Sequence, residues 1–146
     1  MRVLFVCTGN VCRSPMAQVI FENIAKRENR KDIVVASAGV MTINGLPMTP
    51  TARVALGNCG QKLGRKKRVS TLFNQGMLGK FDHIVCMTQK HAEVIGVHPN
   101  VYTLDSVCGG GDVYDPFMQG EDVYTAVCGE LVVALEKLYE VIGGVG

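Results

Sequence analysis

Cys7, Cys12 and Arg13 fall within the stretch "FVCTGNVCRSP", Phe5 to Pro15, where an apolar run gives way to small polar residues and a proline. Three kinds of chemistry place such residues so close together: a metal knuckle, a redox pair, or a loop that holds an anion against a nucleophilic sulfur. A zinc knuckle needs a second ligand pair. None follows, and His83, His91 and His98 are scattered along the chain, so no metal site is expected and each histidine reads as a surface or core residue. A nucleotide loop would read Gly-x4-Gly-Lys-Ser/Thr and a dinucleotide loop Gly-x-Gly-x-x-Gly. Neither occurs, and no cofactor is expected.

What remains is Cys7-x5-Arg13 between a strand and a helix. Helix N-termini present unpaired N–H groups and the positive end of the macrodipole, so the loop from Thr8 to Arg13 can wrap an anion with backbone donors. Gly9 is expected to make the sharp turn that points the amides inward, and Arg13 adds a planar fork suited to two phosphate oxygens. The same field favours a thiolate at Cys7, since helix N-termini and nearby cations promote ionisation of a thiol. Cys7 then reads as a nucleophile beneath a phosphate cradle. Attack on a phosphorus ester also needs an acid for the leaving group. "GDVYDPF" supplies Asp112 and Asp115 in a glycine-led loop.

The elements that must position these groups follow from hydrophobic patterning. "RVLFV", Arg2 to Val6, "DIVVASAG", "HIVCMT", His83 to Thr88, and "VYTL", Val101 to Leu104, are short β-branched runs of the kind found in strands covered on both faces. Between them lie helical patterns. One starts at Ser14, with Pro15 in its first turn and Ala17, Ile20, Phe21 and Ile24 at 3–4 spacing. Another is "TPTARVALGNCG", with Thr49 as N-cap, Pro50 in the first turn and Gly57 or Gly60 as the stop. "QKHAEVIG" is a short third, and "EDVYTAVCGELVVALEKLYEVIG" closes the chain with an apolar stripe from Tyr124 to Ile142. "MTINGLP", "LGRKKRVS" and "CGGGDVYDP" read as loops. Strands alternating with helices predict an α/β fold: a single domain over 1–146, a four-stranded parallel sheet with helices on both faces, and the phosphate-binding loop after the first strand.

Composition narrows the function classes. A chain of 146 residues with 47% hydrophobic residues suits one domain. A formal charge of +2 is too small for a nucleic-acid partner, and the run "RKKR", Arg65 to Arg68, reads as a solvated loop. "MRVLFVC" is too short an apolar stretch for a signal peptide, and no run is long enough to span a membrane. The expected setting is the cytoplasm, with no membrane partner and a monomeric chain. Cysteines there stay reduced. Cys59, Cys86, Cys108 and Cys128 are therefore taken as buried or incidental.

Together these segments are similar to the low-molecular-weight protein-tyrosine phosphatase family, which includes bacterial protein arginine phosphatases. The resemblance is carried by "FVCTGNVCRSPMAQ", "SAG" at Ser37 to Gly39, "FDHIVCMT" and "DVYDPF", and it covers nearly the whole chain. It implies that Cys7 is the nucleophile, Arg13 the phosphoryl clamp and Asp115 the general acid and then base. Thr8, Gly9, Asn10, Val11, Cys12, Arg13 and Ser14 would bind phosphate, with Asn10 and Ser14 shaping the loop and hydrogen-bonding the thiolate. Cys12 would trap an oxidised Cys7 as a disulfide. Phosphorylated protein is the implied substrate and inorganic phosphate the product.

Two departures matter. Many members carry a histidine in the loop corresponding to "KLGRKKR" that supports the loop asparagine; Arg65 stands nearest here. Eukaryotic members carry paired tyrosines after Asp-Pro, whereas this chain has Phe117 and Met118, so the substrate walls are expected to be Val11 and Phe117. At position 11 tyrosine phosphatases of the family typically have isoleucine and arginine phosphatases threonine. Valine lacks the hydroxyl, which favours phosphotyrosine, with phosphoarginine as the alternative. A related family of arsenate reductases shares the cysteine-arginine loop but needs two further cysteines, for which only Cys86 could stand. A non-catalytic phosphate-binding module would have no use for Cys7 and Asp115 together.

Overall fold

The computed structural model describes residues 1–144. Four strands, β1 (Arg2–Cys7), β2 (Val34–Gly39), β3 (His83–Cys86) and β4 (Val101–Thr103), form one parallel sheet in the order β2-β1-β3-β4. Cys7 pairs in register with Gly39, and Val6 with Cys86. β2 lies on one side of β1 and β3 on the other, so the end of β1 is a topological switch point, where α/β sheets open a crevice.

The helices are α1 (Arg13–Arg27), α2 (Pro50–Asn58), α3 (Gln89–Ile95), α4 (Leu104–Cys108) and α5 (Glu121–Ile142). Strand side chains alternate between two cores, as the period of two requires. Val3 and Phe5 of β1 and Val85 of β3 join the larger core with α1, α2 and α5. Leu4, Val6, Ile84 and Cys86 point to a smaller one with Ile95 and Ala92 of α3. Helices therefore cover both faces. The stripe on α5 is buried at Tyr124, Val127, Cys128, Leu131, Leu135 and Leu138, while Tyr139 and Ile142 pack at its edge. Full burial of one leucine contributes ~1.5–3 kcal/mol. That makes α5 a structural spine.

Local signals account for most boundaries. The Thr49 hydroxyl accepts from Ala52 N–H at 3.4 Å, and Pro50 opens α2. Gly57 lies within that helix, and Gly60, at φ +75°, follows its end. Three differences from the patterning have simple causes. Leu104 starts α4 instead of ending β4, because the Thr103 side chain caps a helix by accepting from Ser106 N–H. Thr88 likewise caps α3, so β3 stops at Cys86. A 3₁₀ turn at Gln75–Gly79 has no apolar periodicity to announce it. Cys86 and Cys128 are fully buried, whereas Cys59 and Cys108 are half-buried.

β2 meets the Cys7 loop with no room to spare. A Cβ on Gly39 would lie 2.6 Å from the Thr8 carbonyl oxygen and 3.0 Å from Asn10 N and Cβ. Beyond it, Val40 N–H donates to Cys7 O (3.0 Å) and Met41 N–H to Thr8 O (2.9 Å), so the loop cannot retreat cheaply. Gly39→Ala is expected to lower the unfolding free energy by about 1–3 kcal/mol, the usual range for overpacking. Urea denaturation checks this, and the amide resonances of Thr8 to Asn10 should shift with it.

Candidate active site

The loop from Cys7 to Arg13, together with Met41, Asp115 and Phe117, lines one cavity of about 230 Å³. Thr8, Gly9, Val11 and Cys12 present amide N–H groups that meet no acceptor among the described residues. Asn10 N–H points at the Cys7 sulfur, 3.3 Å away. Unpaired amides grouped at a helix N-terminus form an anion site.

The turn that directs them is made at Asn10, whose φ of 57° lies in the left-handed region. Gly9 has no positive φ and its expected role as the turn residue does not hold. Asparagine tolerates this conformation better than most residues, and its amide is then tied at both ends. Thr71 N–H donates to Asn10 Oδ1 (2.8 Å), and Asn10 Nδ2 donates to Ser14 Oγ (2.8 Å). Ser14 Oγ lies 2.9 Å from Cys7 Sγ. Asn10 occupies one lone pair of the Ser14 hydroxyl, whose proton faces two acceptors, the Cys7 sulfur at 2.9 Å and Ala38 O at 3.4 Å. Thr71, from the far side of the β2 edge, thus holds the asparagine. Arg65 is exposed and makes no hydrogen bond or ion pair among the described residues, so it does not replace the family's supporting histidine.

Arg13 is almost fully buried, with 6% of its side chain exposed. Its Nη1 donates to Val113 O (3.2 Å) and its Nη2 to Thr8 Oγ1 (3.3 Å), while Asp115 Oδ2 stands 3.5 Å from Nη2. Asp115 is half exposed at the cavity mouth. Its other oxygen accepts from Phe117 N–H at 3.1 Å, the local turn that also sets the Phe117 ring beside the opening. Asp112 is spent elsewhere: Oδ1 accepts from Gln89 N–H at the start of α3 (2.9 Å). Geometry therefore separates the two carboxylates that the loop sequence left equivalent. Met41, three-quarters exposed, is a further apolar wall of the same cavity, and no spacing pattern pointed to it.

Cys12 is buried beneath the loop. Its sulfur lies 3.3 Å from Tyr124 Oη and 3.6 Å from Thr49 Oγ1. Burial raises the Cys12 thiol above its ordinary value, against the hydrogen bonds from Tyr124 and Thr49, so it rests as a neutral thiol. Cys86 is inside the sheet, its thiol pushed up to about 12 by burial. That removes the reductase reading, which needs an accessible second sulfur. Among the described residues no cluster of ligating side chains could hold a metal ion, and no helix is long and apolar enough to cross a membrane.

A family model described as low molecular weight phosphotyrosine protein phosphatase matches residues 2–144. A protein-arginine-phosphatase of Bacillus subtilis is 36% identical over 145 residues, covering 94% of each chain. A low molecular weight protein-tyrosine-phosphatase of Staphylococcus haemolyticus is 32% identical, covering 94% of this chain and 97% of its own. Among solved structures, a cysteine-to-serine variant of YwlE arginine phosphatase, carrying a phosphorylated active-site serine, superposes with a TM-score of 0.89. It shares 34% identity and covers 99% of this chain and 97% of its own.

His91 is the site residue that its sequence context concealed. It is 4% exposed, and its Nδ1 accepts from Thr88 N–H (3.1 Å) in the cap of α3. The proton therefore sits on Nε2, which donates to Thr8 Oγ1 at 2.8 Å. The same oxygen receives Arg13, so α3 braces the guanidinium through one imidazole and one hydroxyl. Burial, and after it the Arg13 charge, push His91 from 6.5 down to about 4, against the weaker opposite pull of Asp112 and Asp115. The unfolded chain thus binds a proton near pH 6.5 that the folded chain refuses until about pH 4. Stability is lost as pH falls through that window and no further below it, by at most about 3 kcal/mol. Urea unfolding at pH 7, 5.5 and 4.5 should show this loss in the wild type and a flatter profile in His91→Asn.

Proposed function

The chain belongs to the low-molecular-weight phosphotyrosine protein phosphatase family and is a cysteine-dependent phosphatase of phosphorylated protein side chains, and we propose that phosphotyrosine is its preferred substrate and that Cys7, Arg13 and Asp115 carry the reaction. The observation behind this reading is the convergence of a sulfur, a buried guanidinium, a set of unpaired amides and one carboxyl on a single cavity. A non-catalytic phosphate-binding module would need only the amides and Arg13.

In the first step the Cys7 thiolate attacks phosphorus opposite the ester oxygen. The S–P bond forms as the P–O bond breaks, and the Asp115 carboxyl delivers its proton to the departing phenolate. Arg13 and the amides of the loop hold the peripheral oxygens, where charge gathers in the transition state. In the second step the Asp115 carboxylate takes a proton from water, whose oxygen attacks phosphorus; the P–S bond breaks and inorganic phosphate leaves. Ser14 Oγ stabilises the thiolate that departs. Peroxide oxidation of Cys7 gives a sulfenic acid, with which the Cys12 thiol condenses to a disulfide and water.

Specificity rests on the rim. Val11, Met41 and Phe117 offer apolar surface to a phenyl ring and no acceptor to a guanidinium. Phosphoarginine is the second reading, because two of the relatives reported above are described as arginine phosphatases and Asp115 could accept from a guanidinium N–H.

Two measurements test these assignments. Asp115→Asn should lose ~10²–10⁴-fold in rate on phenyl esters with poor leaving groups and much less on those with acidic phenols; equal losses across the series would make Asp115 structural. Side-by-side kcat/KM values on phosphotyrosine and phosphoarginine peptides should favour the former. Val11→Thr should raise the phosphoarginine to phosphotyrosine ratio about 10-fold, the value of one gained hydrogen bond. A wild type that already prefers phosphoarginine strongly would refute the argument from position 11.

A further inference from the structure

Two cysteines that the catalytic cavity does not use meet where α2 ends against α5. Cys59 follows the last turn of α2 and is partly exposed, whereas Cys128 is fully buried on the stripe of α5. The end of α2 is tied down at this point: Asn58 Nδ2 donates to Glu121 Oε1 (2.9 Å) and to Thr125 Oγ1 (3.1 Å). The next residue continues the contact, and the Cys59 thiol donates to Thr125 O at 3.7 Å. Residues three apart on a helix are neighbours on its surface, so a sulfur on the Thr125 carbonyl is also beside Cys128. The Cys128 thiol hydrogen-bonds the Cys59 sulfur, and both side chains belong to the larger core. Burial, and after it the nearby Cys59 sulfur, raise the Cys128 thiol, which rests as a neutral S–H.

We propose that Cys59 and Cys128 form a second redox pair, which a peroxide converts to a disulfide stapling α2 to α5 in the folded protein. Cys59 reacts first, because it alone of the two meets solvent. Its thiolate attacks one peroxide oxygen, the O–O bond breaks, hydroxide leaves and a sulfenic acid forms. The Cys128 sulfur then attacks the Cys59 sulfur. The S–S bond forms as the S–O bond breaks, and the hydroxyl departs as water with the Cys128 proton. Two thiols have then given two electrons to the peroxide. The staple joins the two helices that hold Cys12: Thr49, at the other end of α2, and Tyr124, one turn before Cys128 on α5, are the hydroxyls on its sulfur. It also closes a long loop, the case in which a cross-link most restricts the unfolded chain.

Folded wild type is treated with hydrogen peroxide, its remaining thiols are alkylated, and it is digested without reductant by trypsin and a glutamate-specific protease. Mass spectrometry should then find a peptide pair joined through Cys59 and Cys128, which dithiothreitol separates. Cys59→Ser removes this bond and keeps Cys7 and Cys12, so oxidation should raise the Tm of the wild type roughly 5–10 °C more than that of Cys59→Ser. The mapping is made on the wild type and does not depend on how any variant folds. Cys59 recovered as a sulfinic or sulfonic acid, or joined to added glutathione, beside a free Cys128 would overturn the proposal. So would a joined pair that forms only in urea, or a Tm that oxidation moves no further in the wild type than in Cys59→Ser.

Discussion

A loop that binds an oxyanion through its own backbone must leave its N–H groups unpaired within the protein, and so forgoes the hydrogen bonds that would normally fix its shape. Its rigidity has to come from side chains and from neighbours. Asn10, in a left-handed conformation, is secured by Thr71 and Ser14. Gly39 presses against Thr8 and Asn10 from β2, and the carbonyls of Cys7 and Thr8 are anchored by Val40 and Met41. The amide donors stay free while the carbonyls of Cys7, Thr8, Val11 and Cys12 are engaged.

The same division governs the charges. Arg13 is buried, and its fixed contacts are neutral oxygens, Val113 O and Thr8 Oγ1. Those two contacts orient the guanidinium without neutralising it, and its one ion pair among the described residues is with half-exposed Asp115 at 3.5 Å. His91 serves this arrangement only while uncharged, since a proton on Nδ1 would remove the acceptor for Thr88 N–H and set a second cation beside Arg13. Its depressed basicity is the electrostatic counterpart of its position. Asp115 is the exception, half exposed on a loop that begins with three glycines at positive φ, Gly109 to Gly111. The acid and base role proposed for this carboxyl requires it to reach both solvent and substrate.

Helix α5 joins the scaffold to the chemistry. Its stripe fills the larger core, and at its first turns Tyr124 brings a hydroxyl to the Cys12 sulfur, with Thr49, the cap of α2, on the other side. The resting thiol is thereby packed and hydrogen-bonded close beneath the Cys7 loop. The second cysteine is held by the core and the first by the cradle, and the two sit in different surroundings although only four residues lie between them in sequence.

Signals confined to a few residues were legible without coordinates. The alternation of β1 between two cores, the Thr49–Pro50 start of α2, the stripe on α5 and the Cys7-x5-Arg13 spacing each depend on local periodicity or on one turn of backbone. They determined the parallel sheet, the helices on both faces and the anion-binding loop after β1. Only the tertiary structure decided that Asn10 makes the turn instead of Gly9, that Thr71 and not Arg65 supports it, that Asp115 faces the cavity while Asp112 caps α3, and that His91 and Met41 belong to the site. Those contacts bridge 61 residues from Asn10 to Thr71, 83 from Thr8 to His91 and 100 from Arg13 to Val113. Strand order and loop path bring such partners together, and no local pattern of residue types records which distant segment a strand order will deliver.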